Sequence, residues 1–204
     1  MPVPKNLDYE MWLGSTPHVY YTEKRVHPQE GYDRPGWLRC EQFGAGMITG
    51  WGAHHVDSAH WGMGTEHTGP IEISGFAEFP KSGLWDVHGP FKTEALYADG
   101  VRMIIGGEFP NGIKFEGTEG WIRGWRAPNR IEAEPKSILA AEVKFDDFPF
   151  LLRNEKTDFI ECVRARNTQT LEDAEVGHRS STLVQLAYIA CLLGRKLQWD
   201  PLKE

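Results

Sequence analysis

The stretch FKTEALYADGVRMIIGGEF, residues 91–109, holds two runs in which apolar and polar side chains alternate, joined at Asp99–Gly100. Alternation at a period of two marks a half-buried strand, and an Asp-Gly pair between two such runs predicts a hairpin closed by a two-residue turn. Working outward, IEISGFAEF (71–79) alternates before it and GIKFEGTEGWIRGW (112–125) continues after it, so at least four strands follow one another through short connections. Short connections join antiparallel neighbours. A mainly antiparallel sheet over 70–126 is the expected body of the fold.

Helical patterns flank this sheet instead of alternating with its strands. On the N-terminal side, Val56, Ala59, His60 and Met63 recur at spacings of three and four, which predicts a short helix over roughly 48–62. On the C-terminal side, residues 154–166 place Phe159, Ile160 and Val163 on one side, with Lys156 and Arg164 facing water. SSTLVQLAYIACLLGR (180–195) is apolar almost all round, the pattern of a buried helix with Ser180 as its cap and Arg195 and Lys196 at its end. Residues 1–43 mix aromatics with Pro and Gly and have neither period, so they read as an irregular but packed N-terminal segment. The order predicts an α+β fold: an open, mainly antiparallel sheet with helices packed on one face, in a single domain over 1–204.

Composition narrows the partners. The chain has 204 residues, a formal charge of −7 and no Lys/Arg run, so the concentrated basic surface that nucleic acid requires is absent from the sequence. No apolar run is long enough to suggest a membrane span. Cys40, Cys162 and Cys191 are odd in number and widely spaced, which gives neither a disulfide framework nor a zinc motif; each reads as a small buried hydrophobe. Compartment stays open between cytoplasm and periplasm.

The candidate chemistry lies in GAGMITGWGAHHVDSAHWGMG, residues 44–64, where glycines surround His54, His55, Asp57 and His60. The three histidines lack the i, i+4 pair with which a helix presents two ligands to one metal. A phosphate cradle would need a preceding buried strand and a βαβ unit, and what precedes is the half-polar WLRCEQF (37–43). No GxSxG elbow occurs. Asp86 and His88, in LWDVHGPF (84–91), read as surface and turn residues. What remains is His54 as an acid/base or substrate-orienting group at the start of a helix whose glycines leave room for a ligand, with a satisfied structural histidine as the alternative.

The same segment, GAGMITGWGAHHVDSAHW (44–61), resembles the GGGxxxDxGxHxxD segment of the glucose-fructose oxidoreductase, inositol dehydrogenase and rhizopine catabolism family (Gfo/Idh/MocA). Three further pieces agree. LDYEMWLGSTP (7–17) is similar to the LDWDxWLGPAP opening of the family's second domain, TEGWI (118–122) to its GTEGW strand end, and EVGHRSSTLVQLAYIACLLGRKLQWDP (175–201) to its closing helix. Together they cover the chain from end to end.

The resemblance implies the C-terminal part of a two-domain enzyme, with NAD or NADP held by an N-terminal Rossmann domain and none expected on this chain alone. The family's catalytic lysine, in an E-K-P segment of that first domain, has no counterpart here. It implies that His54 assists proton transfer at a substrate hydroxyl, and that Gly44, Gly46, Gly50 and Asp57 fill structural positions, Asp57 bonding within its helical turn. The motif's catalytic aspartate falls on Gly50, so full dehydrogenase chemistry requires His55, Trp51 or another residue to take its place. Trp51 is placed either to stack on a sugar face or to pack in the core, and Arg179, at the mouth of the last helix, either to reach an anionic substrate or to stand as a surface arginine.

The expected function is the substrate-binding and oligomerisation domain of an NAD(P)-dependent oxidoreductase, or of a redox-assisted lyase or hydrolase, acting on a sugar or polyol, inert on its own. The alternative is a non-enzymatic sugar-binding or assembly module. The expected partners are the substrate, the Rossmann domain and further copies of the chain through the exposed sheet face; nucleic acid and membrane are not expected.

Overall fold

A computed structural model describes residues 1–26, 36–126, 128–142 and 154–203. The α+β class holds, and among the described residues every strand pair is antiparallel. The chain divides into two compact units, one of residues 1–54, 69–108 and 181–204, the other of residues 55–68 and 109–180.

The first unit is built on a four-stranded sheet in the order β3-β2-β1-β7, from β1 (Glu72–Ala77), β2 (Phe91–Leu96), β3 (Arg102–Gly106) and β7 (Leu197–Gln198). Ile73, Thr93, Ala95 and Met103 point into its core, while Phe76 and Ile104 on the opposite face are exposed among the Arg102–Glu94 and Lys92–Glu108 ion pairs. The β2–β3 hairpin departs from the two-residue turn expected at Asp99–Gly100. Tyr97 N–H donates to Val101 O (2.9 Å) and Gly100 N–H to Tyr97 O (3.0 Å), with Gly100 at φ +91°. The loop therefore has three residues and the glycine occupies the left-handed position after a tight turn. A two-residue loop occurs instead at Thr118–Glu119, between paired Gly117 and Gly120.

The N-terminal segment is packed as expected but carries regular structure: α1 (Tyr9–Leu13) with Asp8 as its N-cap, α2 (Glu23–Val26) and a 3-10 turn at Gly36–Arg39. Tyr9, Leu13, Tyr21 and Val26 form its core, with Trp12 and Phe43 against it. The part of that segment at 27–35 lies outside the described residues.

The second unit carries a three-stranded sheet, β4 (Gly112–Gly117), β5 (Gly120–Trp125) and β6 (Arg130–Glu134). β6 lies beyond the expected limit at 126, since RIEAE is too short and too charged to stand out in the sequence. Gly120 tolerates no side chain: at φ +147° an added Cβ would lie 2.1 Å from Glu134 O. The break between the two sheets falls on GGEFPNG (106–112), where glycines and a proline without an N–H end the ladder.

Three helix expectations need correction. Helix α4 (Glu155–Ala165), capped by Asn154, buries Asp158 and Cys162, whereas Phe159, Ile160 and Val163 are exposed. The face is chosen by a hydrogen bond: Asp158 Oδ2 accepts Leu171 N–H at 2.8 Å, and a buried carboxylate with a donor outweighs the apolar pattern. Helix α5 (Ala174–Leu193) begins six residues before Ser180, with Asp173 Oδ1 accepting Val176 N–H at 3.0 Å. It ends at Gly194 (φ +59°), where Gly194 and Arg195 N–H close back on Cys191 and Ala190 carbonyls. The glycine, not Arg195 or Lys196, stops the helix, and the chain enters β7 just past the stretch expected to be helical.

Candidate functional site

Helix α3 spans Gly46–Met63, within two residues of the expected bounds. Its buried side in the first unit carries Ile48 and Gly52, the latter set where a Cβ would touch Val184 of α5 at 3.5 Å. Met47, Gly50, Trp51 and His54 recur at three and four residues, so they form the opposite face of the same turns. Met47, Gly50 and His54 are exposed and Trp51 is half-buried. The Trp51 and His54 rings meet at 5.4 Å between centroids, tilted by 52°. His54 stands midway along the helix, not at its start.

The glycines at the head of α3 answer to a residue that sequence reasoning misplaced. His88 is buried, and its Nε2 accepts Ile48 N–H (3.2 Å) while its Nδ1 donates to Gly89 O (2.8 Å). An imidazole from beyond β1 thus caps the helix in place of a local Ser or Asp. Gly46 makes the approach possible: it sits at φ +75°, and a Cβ there would lie 2.8 Å from His88 Nε2. Burial lowers the His88 pKa, partly offset by the bond to Gly89 O, so the ring is held neutral with the tautomer this cap requires. Asp86 is exposed as expected, and its Oδ1 accepts Glu41 N–H (2.7 Å). A Cβ on Gly44 would meet only ordinary contacts from Trp37 and the Leu38 backbone, and one on Gly50 would meet nothing within 4 Å.

In the second unit the remaining motif residues are engaged in structure. His55 Nε2 donates to Asn111 Oδ1 (2.9 Å). Asp57 Oδ1 accepts the hydroxyl of Ser180 (3.1 Å), so it braces α3 against α5 instead of bonding within its own turn. Arg179 lies inside α5 and pairs with Glu175 one turn earlier, not at the helix mouth. His60 is fully buried, and burial brings its pKa down to about 4 against a smaller opposing pull from Glu66.

Among the described residues no group of three or more His, Cys, Asp or Glu could hold a metal ion, and no helix is long and apolar enough to cross a membrane. The three cysteines are free and buried, and burial pushes the Cys191 thiol up to about 11. A dinucleotide does not fit the residues present: Gly46, the last glycine of GAG, receives His88 rather than a phosphate, and among the described residues no pair of parallel strands is formed.

Beside the head of α3 lies a cavity of about 640 Å³, walled by Met47, Phe79, Trp85 and His88 with Arg39 and Glu78. No periodic signal marks these residues, since they come from four separate stretches of chain. The one hint is WDVHGP itself, whose tryptophan and histidine both turn inward.

The profile described as "Oxidoreductase family, C-terminal alpha/beta domain" matches residues 1–204. No curated protein matches. Among solved structures, the chain is similar to the WlbA dehydrogenase from Bordetella pertussis, solved with NADH and UDP-GlcNAcA: 20% identity, TM-score 0.60, covering 86% of this chain and 53% of that one. It is similar to the aldose-aldose oxidoreductase from Caulobacter crescentus, solved with glycerol, at 13% identity and TM-score 0.57, over 83% of this chain and 52% of that one. An NAD-binding protein from Listeria innocua shares 18% identity at TM-score 0.55, over 86% and 53%. These likenesses carry the fold, and the chain spans about half the length of each of those structures. The chain belongs to the Gfo/Idh/MocA oxidoreductase family, as its C-terminal α/β domain.

Proposed function

We propose that this chain is the substrate-binding and oligomerisation domain of an NAD(P)-dependent oxidoreductase acting on a sugar or polyol hydroxyl. The observation that carries this reading is the exposed face of α3, where His54 stands in ring contact with Trp51 beside the open position of Gly50. Trp51 offers an aromatic surface to the apolar face of a sugar ring. His54, exposed to solvent, brings an imidazole, the usual acid/base side chain, to a hydroxyl held there. Cofactor binding belongs to the Rossmann domain of the parent enzyme, so the isolated domain is inert. Copies associate through the four-stranded sheet, whose outer face exposes Phe76 and Ile104.

His54→Ala in the complete protein tests the reading. Turnover should fall by ~100-fold or more, the usual contribution of a positioned acid/base group, with the melting temperature nearly unchanged. Unaltered turnover would sink it. Gly50 favours a second reading, a sugar-binding or assembly module without redox chemistry, because no carboxylate stands at that position to orient His54. In that case His54→Ala shifts binding or stability, and no sugar supports reduction of NAD or NADP by the complete protein.

A further inference from the structure

We infer that the cavity beside the head of α3 holds a second, neutral sugar ring, so that the substrate is a glycoside of at least two rings and not a nucleotide-activated sugar. This rests on the reading of the α3 face as the place where the reacting ring lies. Met47 belongs to both features: it opens the Met47–Gly50–Trp51–His54 face and lines the cavity. One molecule can therefore run from one into the other. At 1.5 Å of rise per residue, Met47 and His54 are about 10 Å apart along the helix, a span suited to two linked pyranose rings and too long for one.

The walls select the chemistry. Phe79 and Trp85 supply aromatic surface for the C–H face of a sugar ring, while Arg39 supplies donors and Glu78 acceptors for its hydroxyl rim. Trp85 is held in place, with its ring edge where a Cβ on Gly36 would lie 2.3 Å away and the Arg39 guanidinium 5.8 Å from its centroid. Tyr188 packs on two of the walls, 6.1 Å from both Phe79 and His88. The charges of Arg39 and Glu78 cancel, His88 is held neutral, and the whole chain carries −7. A diphosphate needs converging cations, and this cavity offers one guanidinium beside a carboxylate.

The test is binding to the 204-residue chain, by calorimetry or saturation-transfer NMR at millimolar ligand, of cellobiose, lactose and trehalose against their monosaccharides and UDP-glucose. At least one disaccharide should bind more tightly than its monosaccharides. Trp85→Ala and the exposed-site variant Arg39→Ala should each weaken that disaccharide by ~10-fold, about one aromatic contact for the first and one hydrogen bond from a charged group for the second, and leave monosaccharide binding unchanged. If Trp51→Ala abolishes monosaccharide binding while Trp85→Ala and Arg39→Ala change nothing, the second-ring cavity is wrong and the α3 reading stands. If Trp85→Ala weakens a disaccharide and neither Trp51→Ala nor His54→Ala alters any ligand, the α3 reading fails and the two-ring substrate with it. Tighter binding of UDP-glucose than of every disaccharide, or no saturation by any of the three, also overturns the inference.

Discussion

The imidazole of His88 caps helix α3 by accepting Ile48 N–H at 3.2 Å from forty residues away in the chain. The helix that presents Trp51 and His54 is thus fixed at its head by the loop that walls the cavity. Removing the acceptor leaves a buried amide unpaired, so His88→Ala should cost ~2–3 kcal/mol, a lost cap plus lost packing. Urea unfolding measures it; a change under 0.5 kcal/mol would show that the cap is dispensable.

Gly46 and Gly50, four residues apart on one helix, should respond with opposite signs. Gly46→Ala forces a side chain into a positive φ and against His88 Nε2, and should destabilise by ~2 kcal/mol or more. Gly50→Ala meets open space within a helix, where it should stabilise by up to ~1 kcal/mol. Equal effects at the two positions would contradict this account.

Stability should fall on mild acidification. Unfolded histidine binds a proton near pH 6.5, whereas burial holds folded His60 to about 4 and lowers His88 in the same direction. Between those values the unfolded state holds more protons, so stability is fully present above 6.5 and is lost as pH drops. His60 alone accounts for ~3 kcal/mol across that window. The slope of unfolding free energy against pH should flatten in a folded His60→Leu variant; an unchanged slope would remove His60 as its source.

Asp57 and His54 should separate stability from turnover. Asp57→Asn or Ser180→Ala weakens one hydrogen bond between α3 and α5 and should cost ~1 kcal/mol. His54→Ala, on an exposed face, should cost under ~0.5 kcal/mol while turnover of the complete protein collapses. A melting shift at His54 larger than that at Asp57 would reverse the assignment.

Helix α4 gives the cleanest contrast between pattern and packing. Phe159→Ser should leave stability within ~0.5 kcal/mol, because that ring is 61% exposed. Asp158→Ala, at 1% exposure, strands Leu171 N–H and should cost ~1–3 kcal/mol. Thermal melts of the two variants decide the order.

Periodicity and turn chemistry were enough to place the strands from Glu72 to Trp125, the bounds of α3 to within two residues and the α+β class, because alternation and helical spacing are properties of consecutive side chains. The family too was legible, in motifs spread from Leu7 to Pro201. The sequence could not say which face of α4 is buried, since that depends on Leu171 supplying a donor to Asp158. Nor could it foresee that Ser180 lies within a helix and bonds to Asp57. The role of His88 was hidden for the same reason: it reads as a turn residue until β1 and the loop after it bring it to the unpaired amides of α3. A local pattern records how a chain covers its own apolar side, and only the tertiary structure decides which distant group satisfies a buried polar one.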